Sequence, residues 1–118
     1  MKNLHKNEQL MELLQLLKKT AIENDAAIWK RVASDLEGPT RRRRVVNVYK
    51  LEKYTKDNET VVVPGKVLGT GDLNKKITVA AYTFSEQAVQ KINAKGKCLS
   101  IKELVEKNPK GNKVRIMG

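Results

Sequence analysis

A repeating stripe of apolar residues near the start of the chain predicts its first helix. The members lie three or four positions apart, as consecutive turns of an α-helix require; they are Leu10, Leu13, Leu14, Leu17 and Ala21. The stripe predicts a helix from about Glu8 to Glu23, and Asn7 is a plausible N-cap ahead of it.

A second, shorter apolar repeat follows a polar break in the sequence. Asn24-Asp25 interrupts the first stripe, and Ile28, Val32 and Leu36 then recur at every fourth position. We expect a helix that Asp25 caps and that Gly38-Pro39 ends. So short a link between two amphipathic helices predicts a helical hairpin packed through its apolar faces.

Runs of β-branched residues predict strands in the middle of the chain. Val45 to Val48 is expected to form a short strand, followed by one or two helical turns that contain Leu51 and Tyr54. Thr60 to Val63 is a candidate for a buried strand, and Pro64-Gly65 is expected to stop it. Glycines at positions 65, 69 and 71 then predict a loop-rich connection.

The last forty residues alternate between strand and helix signals. Ile77 to Phe84 is the strongest strand candidate, and Ser85 is expected to cap a helix that contains Ala88, Val89 and Ile92. Gly96 is placed to follow that helix as its C′ residue. A short strand is expected at Cys98-Leu99, and a strand or a tail at 114–117.

One further helix is predicted by its capping residues. Ser100 and Glu103 have the spacing of a capping box, in which each side chain bonds to the other residue's backbone N–H. Asn108-Pro109 should end this helix, because the residue before a proline is disfavoured in the α conformation.

The order of these elements predicts an α/β fold: an N-terminal helical hairpin followed by a compact mixed strand-helix domain. A chain of 118 residues is the right length for a single domain, 1–118. Within it we assign a basic N-terminal tail at 1–7 and a basic C-terminal segment at 108–118.

The charge distribution is the first indication of function. The formal net charge is +11, from 24 Lys and Arg against 13 Asp and Glu. Arg41 to Lys56 holds seven basic residues and one acidic residue, and Lys107 to Gly118 holds four basic residues and no acid. Such an excess repels itself unless a polyanion such as RNA, DNA or an anionic membrane binds it.

The sequence favours a cytoplasmic binding protein over an enzyme or a membrane protein. Cys98 is the only cysteine and indicates a reducing compartment, and no apolar run approaches the length of a bilayer span. His5 is the only histidine and Cys98 lies in an apolar strand, so we expect no catalytic residue, no metal site and no cofactor. Gly69-Thr70-Gly71 lacks the remaining residues of a nucleotide-binding fingerprint, so we expect no small-molecule substrate.

The four consecutive arginines are the strongest candidate for RNA contact. Guanidinium groups match phosphate oxygens and base edges, and the basic run continues through Lys50 and Lys53. Tyr49 and Tyr54 lie among these bases and are the better candidates for stacking on nucleotides. Trp29 could also stack on a base, but beside Ile28 on a helix it is expected in the core or at its rim. Lys30 and Arg31 extend the positive surface from the second helix. The C-terminal candidates are Lys110, Lys113 and Arg115.

Several segments resemble the ribosomal L-fifteen/L-eighteen-e family of large-subunit proteins. They are Ile28–Ala33, Leu36–Pro39, Arg42–Val48, Val61–Gly71 and Thr78–Ala81 with Phe84-Ser85. The resemblance implies the compact α/β fold of that family, binding to large-subunit ribosomal RNA beside neighbouring ribosomal proteins, and no catalytic activity. It also implies RNA contact for Arg41 to Arg44, for Asn47 and for Lys66. The shortness of the chain resembles archaeal members.

Two other functions remain open on the sequence. The helical hairpin with its basic continuation is compatible with a free-standing RNA- or DNA-binding regulator, although Asp35 and Glu37 disfavour a helix that reads a DNA groove. A small nucleotide-dependent enzyme rests on the glycines alone. The main prediction is a ribosome-associated structural protein of the large subunit.

Overall fold

A computed structural model describes residues 4–39 and 43–118, and the side chains from residue 8 onward within those ranges. The described chain begins with two helices that pack together, and strands then alternate with shorter helices. In chain order the elements are α1 Leu4–Asn24, α2 Ala27–Glu37, β1 Arg44–Asn47, α3 Val48–Tyr54, β2 Thr60–Leu68, β3 Thr78–Phe84, α4 Glu86–Asn93, β4 Lys97–Ser100, α5 Ile101–Lys107 and β5 Val114–Ile116.

The five strands form one sheet in which every pairing is parallel. The strand order is β1-β2-β3-β4, and β5 also pairs with β2. β5 lies beside 60–62 of β2 and β1 lies beside 65–68, while β3 occupies the other side of β2. The strands β5 and β1 therefore lie end to end along one edge of β2.

Helices cover both faces of this sheet and enclose two apolar cores. The first core joins α1, α2 and α5 to residues such as Val62, Ala80 and Leu99. The second joins α3 and α4 to residues such as Val61, Val63 and Val79. The strands of a parallel sheet that is buried on both faces are apolar at successive positions, and this explains the three consecutive valines at 61–63. The predicted α/β class with a helical hairpin in front is confirmed.

The ends of the first two helices differ from the prediction. Helix α1 begins at Leu4, so Asn7 is not its N-cap and residues 4–7 of the expected tail are helical. Asp25 does not cap α2: its φ is +51° and Ala26 holds the N-cap position. Instead the N–H of Asp25 bonds to Ile22 O and that of Ala26 to Ala21 O, which is the pairing that closes a helix C-terminus.

Strand β2 continues through Pro64-Gly65, contrary to the prediction that this dipeptide stops it. The register between β2 and β3 shifts between Val63 and Lys66, so the proline lies where ladder pairing is already interrupted. A Cβ on Gly65 would lie 1.9 Å from the backbone oxygen of Arg44. Glycine is therefore required for β1 to approach β2. The pairing with β1 in turn keeps β2 extended beyond the proline.

The remaining predicted elements lie close to their expected positions. Ser85 Oγ accepts a bond from Ala88 N at 3.1 Å, and the Ser100–Glu103 capping box is formed on both sides. Val48 belongs to α3 and not to the preceding strand. Gly96 is not a left-handed C′ residue; a Cβ there would lie 1.9 Å from Ile77 O, so this glycine allows β4 to approach the start of β3.

Candidate nucleic-acid interface

The fold brings the two basic segments of the sequence to one edge of the sheet. Arg44 Nη1 at the start of β1 donates to the carbonyl oxygen of Gly118 at 2.8 Å. Arg115 in β5 donates to the carbonyl oxygen of Tyr54, at the end of α3. Residues that are 61 to 74 positions apart in the sequence are thus adjacent, and the edge formed by β1 and β5 carries both basic segments.

Two arginines of the predicted contact run are bonded to the protein itself. Arg44 Nη2 lies 3.1 Å from Asp35 Oδ2, and its Nε lies 3.3 Å from the same oxygen. Arg43 Nη2 donates to Leu36 O at 3.3 Å, and its guanidinium carbon lies 4.9 Å from the centre of the Tyr82 ring. These contacts attach the end of α2 to the sheet edge. Arg41 and Arg42 lie outside the described residues.

Two buried polar atoms beside this edge have no hydrogen-bond partner among residues 4–39 and 43–118. They are Arg43 Nε and Asn47 Oδ1. Asn47 ends β1 and stands at the N-cap position of α3, but its side chain makes no capping bond there. The predicted RNA contact of Asn47 would therefore have to go through its amide nitrogen, because its oxygen is enclosed.

The outward side of α3 carries two of the chain's three tyrosines together with two lysines. Val48 and Leu51 face the core, whereas Tyr49 is 55% exposed and Tyr54 is 52% exposed. Lys53 is exposed and Lys50 half-buried. Lys53 Nζ lies 5.3 Å from the centre of the Tyr54 ring, so a cation already covers one face of that ring. The two lysines thus lie between the two tyrosines along this helix.

Lys66 stands in an exposed row that crosses three strands. It is the register partner of Val45 in β1 and of Thr83 in β3, and all three side chains are exposed. Register partners in adjacent strands project from the same face of a sheet. The row is therefore a short stretch of sheet that the helices do not cover, with a lysine at its centre.

The C-terminal candidates divide into one paired arginine and two exposed lysines. Arg115 Nε lies 3.1 Å from Glu59 Oε2. Lys110 and Lys113 are exposed in the loop before β5. Trp29 is fully buried, as expected for a core residue, and its Nε1 anchors this loop by donating to Pro109 O at 2.8 Å.

A shallow groove between α2 and β5 adds a residue that was not in the predicted contact set. The groove has a volume of about 460 Å³, and Arg31, Arg44 and Arg115 line it. Arg31 is exposed and lies one turn beyond Ile28, which lines the same groove. The spacing of three residues between Ile28 and Arg31 could have indicated this position from the sequence, because residues three apart on a helix share a face.

The side chains that could support chemistry are few. Burial raises the pKa of the Cys98 thiol to about 11, so this half-buried cysteine stays protonated and unreactive near neutral pH. Within the described ranges no group of three or more His, Cys, Asp or Glu side chains is placed to hold a metal ion. No helix in that part of the chain is long and apolar enough to cross a membrane.

Comparison with known proteins gives a consistent result over most of the chain. Residues 24–98 match the model of the family described as ribosomal proteins 50S-L15, 50S-L18e and 60S-L27a. The chain is 50% identical to the large ribosomal subunit protein eL18 of Archaeoglobus fulgidus, over 94% of the chain and 96% of that relative. It is 48% and 47% identical to the proteins of the same name from Methanospirillum hungatei JF-1 and Methanoregula boonei, over 94% of the chain and 93% of each relative.

Proposed function

Because this chain belongs to the ribosomal L-fifteen/L-eighteen-e family and is a structural constituent of the large ribosomal subunit, we propose that it binds large-subunit ribosomal RNA. The proposed contact surface consists of the edge formed by β1 and β5, the outward side of α3 and the Lys66 row. Family membership confirms the prediction of a ribosomal component over that of an enzyme. The similarity to archaeal members is confirmed as well.

The observation that supports this proposal best is that the predicted contact lysines among the described residues lie on this surface without an acidic partner. Among residues 4–39 and 43–118 the ion pairs are Lys18–Glu37, Arg44–Asp35 and Arg115–Glu59. None of the five predicted contact lysines in that part of the chain takes part in one; they are Lys50, Lys53, Lys66, Lys110 and Lys113. A cation without an acidic partner is free to displace the counterions of an RNA phosphate.

The bonded arginines and the lysines without acidic partners are therefore expected to have separate roles. Arg43, Arg44 and Arg115 are bonded to backbone oxygens and carboxylates, so they shape the edge on which RNA would lie. The lysines, together with Arg41 and Arg42, would supply most of the phosphate contacts. Neighbouring large-subunit proteins are the expected further partners.

The test is RNA binding as a function of salt concentration. We compare the wild-type chain with the triple variant Lys50→Gln, Lys53→Gln and Lys66→Gln on deproteinised large-subunit ribosomal RNA. Each phosphate contact contributes about 0.7 to 0.9 to the slope of log K against log salt, so the triple variant should be shallower by roughly 2 to 3.

The matched control removes the same charge at positions outside both basic segments. Lys95 and Lys97 lie around the start of β4, and Lys19 is exposed on α1. Their replacement by Gln should change the slope by less than about one. Equal slopes for the two triple variants would contradict the proposed surface. Binding as tight to small-subunit RNA as to large-subunit RNA would contradict the proposed specificity.

A further inference from the structure

We propose that Tyr49 is a stacking platform for an unpaired nucleobase of the bound RNA. The proposal rests on the proposed function, and it adds a contact to a base where the lysines contact only phosphates. The observation that supports it is an exposed aromatic ring on a backbone that two direct contacts hold in place, through a loop that a third contact clamps.

The backbone of Tyr49 is fixed by the loop between β2 and β3. Tyr49 N donates to Thr70 O at 2.9 Å. Gly71 packs directly on it: a Cβ at Gly71 would lie 2.5 Å from Tyr49 Cβ and 2.7 Å from Tyr49 N. With a φ of +104°, Gly71 also has a backbone conformation that other residues rarely adopt.

The loop itself is clamped from the other side by a lysine. Lys91 Nζ in α4 donates to Gly69 O at 2.7 Å and to Gly71 O. Lys91 therefore holds the loop, and the loop holds the backbone of Tyr49. An aromatic side chain on a fixed backbone loses little conformational entropy when a ligand covers it, which is the property of an efficient stacking residue.

The chemistry around the ring fits a nucleotide. Lys53 lies one turn further along α3 on the same side as Tyr49, and Lys50 is the next residue, so cations for the flanking phosphates are at hand. Asp72 follows Gly71 and is exposed, which repels a phosphate from the loop side and favours the lysine side. The carboxylate of Glu52, also on α3, accepts a hydrogen bond from the backbone N–H of Asn74 at 2.7 Å and is therefore already bonded within the protein.

Tyr49 fits this role better than the other exposed tyrosine. A cation covers one face of the Tyr54 ring, whereas among residues 4–39 and 43–118 no cation lies over the ring of Tyr49. Of the remaining aromatic residues, Trp29 is fully buried, and Tyr82 and Phe84 pack against the cores. Tyr49 therefore offers the aromatic face that is best placed for a base.

The experiment separates stacking from charge. Dissociation constants on large-subunit ribosomal RNA are measured across a salt series for Tyr49→Leu, Tyr49→Phe and Tyr54→Leu. Loss of one stacked base should raise Kd by roughly 5- to 150-fold for Tyr49→Leu and leave the salt slope unchanged. Tyr49→Phe keeps the ring and should bind within about twofold of wild type.

Nitration of the wild-type protein with tetranitromethane tests the same contact without a substitution. We expect Tyr49 to react in the free chain and to be protected in the binary complex with RNA. The proposal is overturned if Tyr49→Leu binds like wild type, if Tyr54→Leu loses as much, or if nitration of Tyr49 is as fast in the complex as in the free chain. Wild-type protein that shows no salt-dependent RNA binding would overturn this proposal and the proposed function together.

Discussion

At the scale of single residues, the basic run contains groups that hold the fold together. The side chain of Arg44 is about three-quarters shielded from solvent, and its guanidinium group contacts both Asp35 and Gly118. Sequence can identify such a run as positive, but the partners of Arg44 come from α2 and from Gly118. A charge count cannot separate a bonded arginine from a free one.

Replacement of Arg44 should therefore reduce stability as well as charge. Arg44→Gln loses a partly buried ion pair and a bond to the carbonyl oxygen of Gly118, and we expect the free energy of unfolding to fall by about 1–3 kcal/mol. Lys18→Gln is the control, since Lys18 and Glu37 form a pair whose side chains are about half exposed, and its cost should be below about 0.5 kcal/mol. Urea titrations measure both; equal effects would show that the Arg44 contacts add no more stability than the exposed Lys18–Glu37 pair.

The glycine at the Tyr49 loop gives a second test at this scale. Gly71→Ala places a Cβ against Tyr49 and forces alanine into a positive φ, so we expect a loss of about 1–3 kcal/mol in thermal or urea unfolding. Gly38→Ala is matched to it: the φ of Gly38 is −69° and the nearest atom to an added Cβ is 3.7 Å away. This control should change stability by less than about 0.5 kcal/mol, and a comparable loss there would contradict the argument.

At the scale of helices and strands, the sequence predictions were correct where the residues that determine a structure lie close together in the chain. Ser85 and Ser100 were predicted as caps, and both side chains accept the expected backbone bond. The failures have causes that lie elsewhere in the chain. Strand β2 passes Pro64-Gly65 because β1 pairs beyond it, and Asp25 closes α1 because of the backbone turn into α2. A pattern within one segment carries no information on such partners.

The helical hairpin supplies a test of the first core. Leu14 is 7% exposed and packs in the core that α1, α2 and α5 share with the sheet. We expect Leu14→Ala to destabilise the protein by about 2–5 kcal/mol, as truncation of a buried leucine does.

Met11 lies on the outward side of the same helix and is the control for that substitution. It is 57% exposed, so Met11→Ala should change the free energy of unfolding by less than about 0.5 kcal/mol. A small effect at Leu14 together with a large one at Met11 would mean that the apolar face of α1 is turned away from the sheet.

At the scale of the whole molecule, the sequence indicated two basic patches and the fold makes them neighbours. This arrangement depends on β5 crossing back to pair with β2, so that the C-terminal residues reach Arg44. The net charge of +11 and the family resemblance were sufficient to predict the ribosomal role. The composition of the proposed contact surface was not predictable, because it depends on which segments the fold brings together and which cations have acidic partners.

The most direct test of the account is sedimentation of the native protein with ribosomal particles. A lysate of the source cells is resolved on a sucrose gradient after a moderate salt wash, and the protein is quantified in each fraction. We expect it to migrate with the large subunit at about one copy per particle and to be absent from small-subunit fractions. Recovery at the top of the gradient, or with the small subunit, would contradict the central claim.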